Sequence, residues 1–357
     1  MLQHNQSSSG NHYQPKPVSS STYDPDVFAD EEELFTIQTA NTWLKQANLR
    51  PVPKMLFGKF WYESELCILF ADSNLGKSIL AVQIANAIST GNSIHPFTCE
   101  AEPQPVLYCD FELTDKQFEA RYSVEYEDHY QFSNNFYRAE LNPDSDMPSG
   151  FTDFDEYLSA CLERSIVQTG SKVVVIDNLT YLRSENEKAK DALPLMKHLK
   201  ALKSRYGLSI LALAHTPKRD LTSEITRNDL QGSKMLMNFC DSAFTIGESV
   251  LNKTMRYLKQ IKQRNTSQVY DSNNVCLCEI NKPHNFLQYE FTGHGMEADH
   301  LRRERRSAND GYTDQVMALH AEGKSLRDIG AQLGISFQKV DRVIKAAQLE
   351  STIVNPS

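Results

Sequence analysis

No apolar run in the 357 residues approaches the ~20 needed to cross a bilayer, so a helical membrane span is not expected. The N-terminus lacks a basic stretch followed by an apolar one, the order a secretory signal requires. Cysteine is sparse and unpaired: there are seven, an odd number, with no C-x-x-C. Cys276 and Cys278 alternate on an expected strand without metal-ligand spacing. These counts exclude a disulfide framework or a zinc site and fit a reducing, cytoplasmic setting. Excess positive charge is also missing. The net charge is −9, so any nucleic-acid site must be local. Residues 1–30 are short of aliphatics and rich in Ser, Asn, Gln, His and Pro. They cannot bury enough surface to offset chain entropy and are read as a disordered tail. The acidic DEEEL at 30–34 is expected to start or cap the first helix.

Against these absences stands ILFADSNLGKSILAVQIANAI, residues 68–88. An apolar strand runs into the polar loop Ala71, Asp72, Ser73, Asn74, Leu75, Gly76, and a helical apolar pattern begins at Lys77, Ser78 and Ile79. Strand, loop and helix are the context of a phosphate-binding loop, where backbone N–H groups and the helix N-terminus converge on an anion. Gly76 would let the chain turn against the phosphates. Lys77 would reach the β- and γ-phosphates of ATP, and Ser78 would ligate Mg²⁺. The first glycine of G-x-x-x-x-G-K-S/T is here Ala71, small enough for a strand end at negative φ.

Further strands are expected at 106–108, 135–139, 171–182 and 208–216, alternating with helices near 115, 153–167 and 189–206. This is an α/β pattern, a parallel sheet with helices on both faces. Ligands bind beyond the carboxyl ends of such strands, where Glu112, Asp177 and His215 fall with the phosphate loop. Asp177, closing the apolar VVVID, would hold Mg²⁺ opposite Ser78. Glu112 would orient and deprotonate the attacking water. His215 is either a γ-phosphate sensor or a structural histidine. Trp61 either covers an edge of the nucleotide site or packs in the core. From 241 to 291, SAFTIGE, RYLKQIKQR, NVCLCEI and NFLQYEF read as antiparallel strands extending the sheet. RRERR at 302–306 and SANDG read as a charged linker, giving an ATPase domain over 31–295 and a linker over 296–312.

Residues 313–350 carry three apolar helical segments: Val316, Met317 and Leu319; Leu326, Ile329 and Leu333; Val340, Val343 and Ile344. Gly323 would stop the first helix, and Gly334-Ile335-Ser336 would form a tight turn capped by Ser336. This all-α module resembles the helix-turn-helix of resolvases and invertases. The resemblance implies that Phe337, Gln338, Lys339 and Arg342 face duplex DNA. Protein docking is the alternative use of such a unit.

The stretch from about 43 to 291 resembles the RecA-fold ATPases of the RepA and DnaB helicase group, including bacterial AAA-type relatives of plasmid RepA. The pieces are ADSNLGKS, VLYCDFELTDKQFEAR, VVVIDNLTYL, LALAHTPK and QGSKMLMNFCDSAFTI. The resemblance implies a RecA-like P-loop core that assembles as a hexamer. It casts Glu112 as the activator of water and places Arg121 near the base. KQRN resembles the family's K-x-R element, so Lys262 and Arg264 would act on the neighbouring subunit's nucleotide, with Arg264 as arginine finger. A solvated basic strand edge is the plainer reading. The stretch 221–236 sits where this fold carries its central-pore loops, so Lys218, Arg219, Arg227 and Lys234 would contact single-stranded DNA; a mobile surface loop is the alternative. A plasmid or mobile-element replication helicase is the job implied. The rivals are a loader or remodeller without unwinding, an ATP-switched DNA-binding regulator, and a DNA-binding protein with a dead nucleotide site.

Overall fold

The computed structural model describes residues 35–142, 144–179, 192–217, 219–230, 233–302 and 310–354. The tail 1–30, the acidic 30–34 and residues 303–309 of the charged linker lie outside them. The chain divides into two units between Val52 and Pro53. In the first, α1 (Ala40–Asn48) begins where Thr39 caps it, its side chain accepting from Thr42 N. That start is later than the acidic run suggested, because a hydroxyl in extended backbone caps a helix locally.

The second unit holds, in order, β1 (Met55–Phe57), β2 (Trp61–Tyr62), β3 (Leu66–Ala71), α2 (Lys77–Thr90), β4 (Val106–Asp110), α3 (Asp115–Arg121), β5 (Ser123–Val124), β6 (Asp128–His129) and β7 (Phe136–Ala139). Next come α4 (Phe154–Thr169), β8 (Val173–Asp177), α5 (Ala192–Tyr206), β9 (Ser209–His215), α6 (Ser233–Phe239), β10 (Ser242–Glu248), β11 (Met255–Lys262), β12 (Val275–Asn281), β13 (Gln288–Gly295) and α7 (Glu297–His300). The helices α8 (Asp310–Ala321), α9 (Leu326–Leu333) and α10 (Phe337–Val354) close the described chain.

Nine strands form one sheet in the order β13-β12-β11-β10-β3-β9-β8-β4-β7. The run from β10 to β7 is parallel and the β10-β11-β12-β13 end antiparallel. SAFTIGE, expected among the antiparallel strands, is β10: it runs antiparallel to β11, as expected, but parallel to β3 on its other side. Side-chain alternation fixes which face a residue takes and not the direction of its neighbour.

Both faces are covered, as the apolar runs require. Along β3, Cys67, Leu69 and Ala71 join a cluster with α2 and the aromatic residues Phe57, Phe60 and Trp61. Leu66, Ile68 and Phe70 join Met196, Leu199 and Leu202 of α5 on the other face. Trp61 is therefore a core aromatic, 0% exposed. Glu297 and His300, placed by sequence in the linker, are also buried: Glu297 accepts from Ile225 N (2.8 Å) and from the Lys259 ammonium. The C-terminal helices have a core of their own. Val316, Leu319, Ile329, Val340, Val343 and Ile344 are buried, with Met317, Leu326 and Leu333 packed against them. Gly334 ends α9 in the left-handed region, and Ser336 Oγ accepts from Lys339 N.

Candidate nucleotide site

Parallel register brings the polar strand ends to one rim. Ala71 pairs with His215 across β3 and β9, and Asp110 with Asp177 across β4 and β8. The loop after Ala71 then turns directly into the 14-residue α2. Gly76 makes that turn at φ 88°, where an added Cβ would lie 2.6 Å from Ile280 Cδ1 and 2.8 Å from the Tyr289 hydroxyl. Tyr289 also donates to the Leu75 carbonyl. Asn74 takes φ 64°. Leu75 and Ile79 are buried in the apolar cluster, so only their backbones can serve a ligand.

Lys77 is turned back onto its own loop. Its Nζ donates to Ala71 O (2.9 Å) and Asp72 O (3.1 Å) and lies 3.2 Å from His215 Nδ1. Burial lowers its pKa, and the charges of Asp177, Glu112 and Asp72 act the other way. An ammonium has only donors, so His215 Nδ1 accepts from it, and the Asn178 amide lies 3.0 Å from His215 Nε2. That nitrogen is 3.3 Å from Glu112 Oε1. Glu112 also accepts from the Asn178 amide. The His215 hydrogen bond, above all, holds the Glu112 carboxyl below its ordinary pKa, with Lys77 and Arg121 contributing.

The turn carrying Glu112 is fixed from below. Asp110 Oδ1 accepts from Glu112 N (3.2 Å) and Leu113 N (3.0 Å), and Oδ2 from Arg138 Nε (2.9 Å). Arg121, at the end of α3, has a buried terminal nitrogen without a hydrogen-bond partner among the described residues.

Asp177 is 1% exposed. Desolvation pushes its pKa up to about 6, although Ser78 and Tyr108 hydrogen-bond it; the Tyr108 hydroxyl is 2.7 Å away. The Ser78 and Asp177 oxygens suit a hard divalent cation, and a buried carboxylate with no ion pair among the described residues is what such an ion would neutralise. Among the described residues no His/Cys/Asp/Glu cluster suited to a metal occurs. An Asp177→Asn variant should be the more stable protein at pH 7.5, by up to about 3 kcal/mol. The native carboxyl is raised, so ionising it costs stability as pH climbs from about 4 through about 6. The gain should fade below about pH 4, where the carboxyl is protonated folded or unfolded. Chemical denaturation at both pH values measures it.

Lys262 and Arg264 lie elsewhere. Lys262 pairs with Ala243, itself level with Ile68, three residues before the end of β3 that leads into the loop. Its Nζ donates to the Met237 and Cys240 carbonyls. Arg264, just past the strand and 49% exposed, reaches Asp241 Oδ1 (3.1 Å) and Asn238 O (3.3 Å). Arg227 is exposed and shares with Lys262 a cavity of about 600 Å³.

Arg219 does not face solvent. Its side chain is 5% exposed and pairs with Asp72 at 3.4 Å, contrary to the expected phosphate contact; a loop arginine reads as solvated unless its acidic partner, far back in the chain, is known. Lys218 and the side chain of Lys234 lie outside the described residues. On α10, Phe337, Gln338 and Arg342 are exposed, whereas Lys339 lies over the Tyr312 ring.

Sequence reading missed Asp110 and Asn178, each within two residues of a strand-end acid it did single out. Tyr108, Arg138, Ile280 and Tyr289 gave no local signal. Among the described residues no helix is long and apolar enough to cross a membrane. A family model described as an AAA domain matches residues 30–220, more than half of the chain. A search of curated proteins found no match.

Proposed function

Because the chain belongs to the AAA-domain family of P-loop ATPase type, we propose that it is an ATP-hydrolysing, RecA-fold motor that assembles into a ring, a hexamer by resemblance, and acts on DNA as a replication helicase of the RepA kind. The observation that carries the reading is the meeting of Lys77, Ser78, Glu112, Asp177 and His215 at one sheet rim. Incoming phosphates draw the Lys77 ammonium from the Ala71 and Asp72 carbonyls. Ser78 and Asp177 would hold Mg²⁺, which when bound neutralises charge on the phosphate oxygens. Glu112, kept ionised, takes a proton from the water that attacks the γ-phosphorus in line. His215, between Lys77 and Glu112, registers whether that phosphate is present. Arg121 adds positive charge beside Glu112.

The finger must come from a second copy. Arg264 starts about five residues from the level of Ala71 along the strand direction, roughly 16 Å, too far for its own loop. In the ring, Lys262 and Arg264 serve the adjoining nucleotide, and Arg227 beside them faces the nucleic acid. The C-terminal helices are read as a helix-turn-helix that meets duplex DNA through Phe337, Gln338, Lys339 and Arg342.

Phosphate release measured with and without single-stranded DNA, alongside displacement of a tailed duplex, tests the proposal. DNA should raise turnover and the duplex should open. Turnover indifferent to DNA would overturn the DNA assignment. Stimulated turnover without displacement would make the protein a loader or remodeller.

A further inference from the structure

The Asp72 side chain has no part in the hydrolysis above, yet both its carboxylate oxygens are engaged. The Thr216 hydroxyl donates to Oδ1. Arg219 Nε lies 3.4 Å from Oδ2. The Asp72 carbonyl meanwhile accepts from Lys77 Nζ at 3.1 Å. One residue of the phosphate loop thus touches both its lysine and the segment leaving β9.

The guanidinium opposite Asp72 is enclosed. Arg219 Nη1 donates to Ser223 O (3.2 Å) and Asp220 O (3.4 Å). Arg219 also hydrogen-bonds the Tyr257 hydroxyl, which donates to Glu297 Oε1 at 3.1 Å. The other acids nearby have partners of their own: Asp220 accepts from Thr222, and Glu297 pairs with Lys259. Among the described residues Asp72 is the acid within ion-pair distance of Arg219, whose charge also acts on Asp220.

A loop that takes a triphosphate gathers several negative charges beside its backbone N–H groups. The segment from Asp72 to Gly76 carries one acidic side chain of its own, Asp72. Uncompensated, a carboxylate at that place repels the ligand. A buried countercharge cancels the repulsion and loses little strength to salt, because it is shielded from solvent.

We propose that Arg219 is a positioning residue of the phosphate loop: it neutralises Asp72 and pins the loop to the segment after β9, so that the loop is both shaped for a triphosphate and electrically open to one. This rests on the nucleotide reading above.

ATP titrated calorimetrically into the full chain and three variants tests it. Arg219→Gln should bind ATP about tenfold more weakly, since Asp72 is left bare. Asp72→Asn should bind several-fold more tightly than wild type, since Arg219 then adds uncancelled positive charge. The double variant should return to within about threefold of wild type. Wild-type affinity in Arg219→Gln, or no recovery in the double variant, overturns the inference and leaves Arg219 a brace for the Asp220 and Ser223 carbonyls. If Arg219→Gln fails to fold, Asp72→Asn alone decides, and affinity equal to or below wild type overturns the inference. Should the wild type itself bind no ATP, the nucleotide reading falls, and this inference with it.

Discussion

Replacing Lys77 with alanine should weaken ATP binding by about 10²-fold or more, measured by calorimetric titration in the presence of Mg²⁺. The ammonium is the positive side chain within hydrogen-bond reach of the Ala71 and Asp72 carbonyls at the mouth of the loop. Burial already lowers its pKa, so it stands partly stripped of water and ready to gain from an anion. Truncation removes that gain and also takes a donor from the Asp72 carbonyl, whereas the Ala71 carbonyl still accepts from Thr216 N. Undiminished affinity in Lys77→Ala would refute the assignment of the loop.

Arg264→Ala should bind ATP normally and turn it over about 10³-fold more slowly. Arg264 lies beyond the end of β11, beside Asp241, while the loop follows the far end of β3. A residue so placed cannot touch its own nucleotide, and its charge matters only where a second copy presents one. Mixing inactive Arg264→Ala protein with inactive Glu112→Gln protein should therefore restore part of the turnover. In mixed assemblies some sites pair an intact Glu112 with an intact Arg264. Absence of rescue in co-assembled subunits would remove the shared site, and a change in affinity without a change in turnover would make Arg264 a binding residue only.

The rim was legible because each of its parts ends an apolar run. VVVID and LSILALAH are buried on both faces, and such runs stop where a polar group meets the ligand edge. The three C-terminal helices were legible from spacing alone, all nine apolar positions lying in their shared core. What could not be read depends on partners remote in the chain. Nothing near Glu112 announces Arg138, which closes the turn through Asp110. Nothing near 219 announces Asp72, so a buried arginine passed for a solvated one. The pairing of β10 with β3 escaped for a third reason: six consecutive buried residues read the same whichever way the neighbouring strand runs.

The outer wall of the phosphate loop is built by Ile280 and Tyr289, whose atoms leave no room for a Cβ at position 76. Tyr289 is stitched to α2 as well, through both atoms of the Gln83 amide. The stretch that defines the family ends at residue 220, sixty positions before the first of these two side chains. The motif and the cradle therefore have different boundaries. A fragment trimmed to the recognisable part of the sequence would carry every signature residue of the loop and lose the hydroxyl and the methyl group against which that loop is moulded.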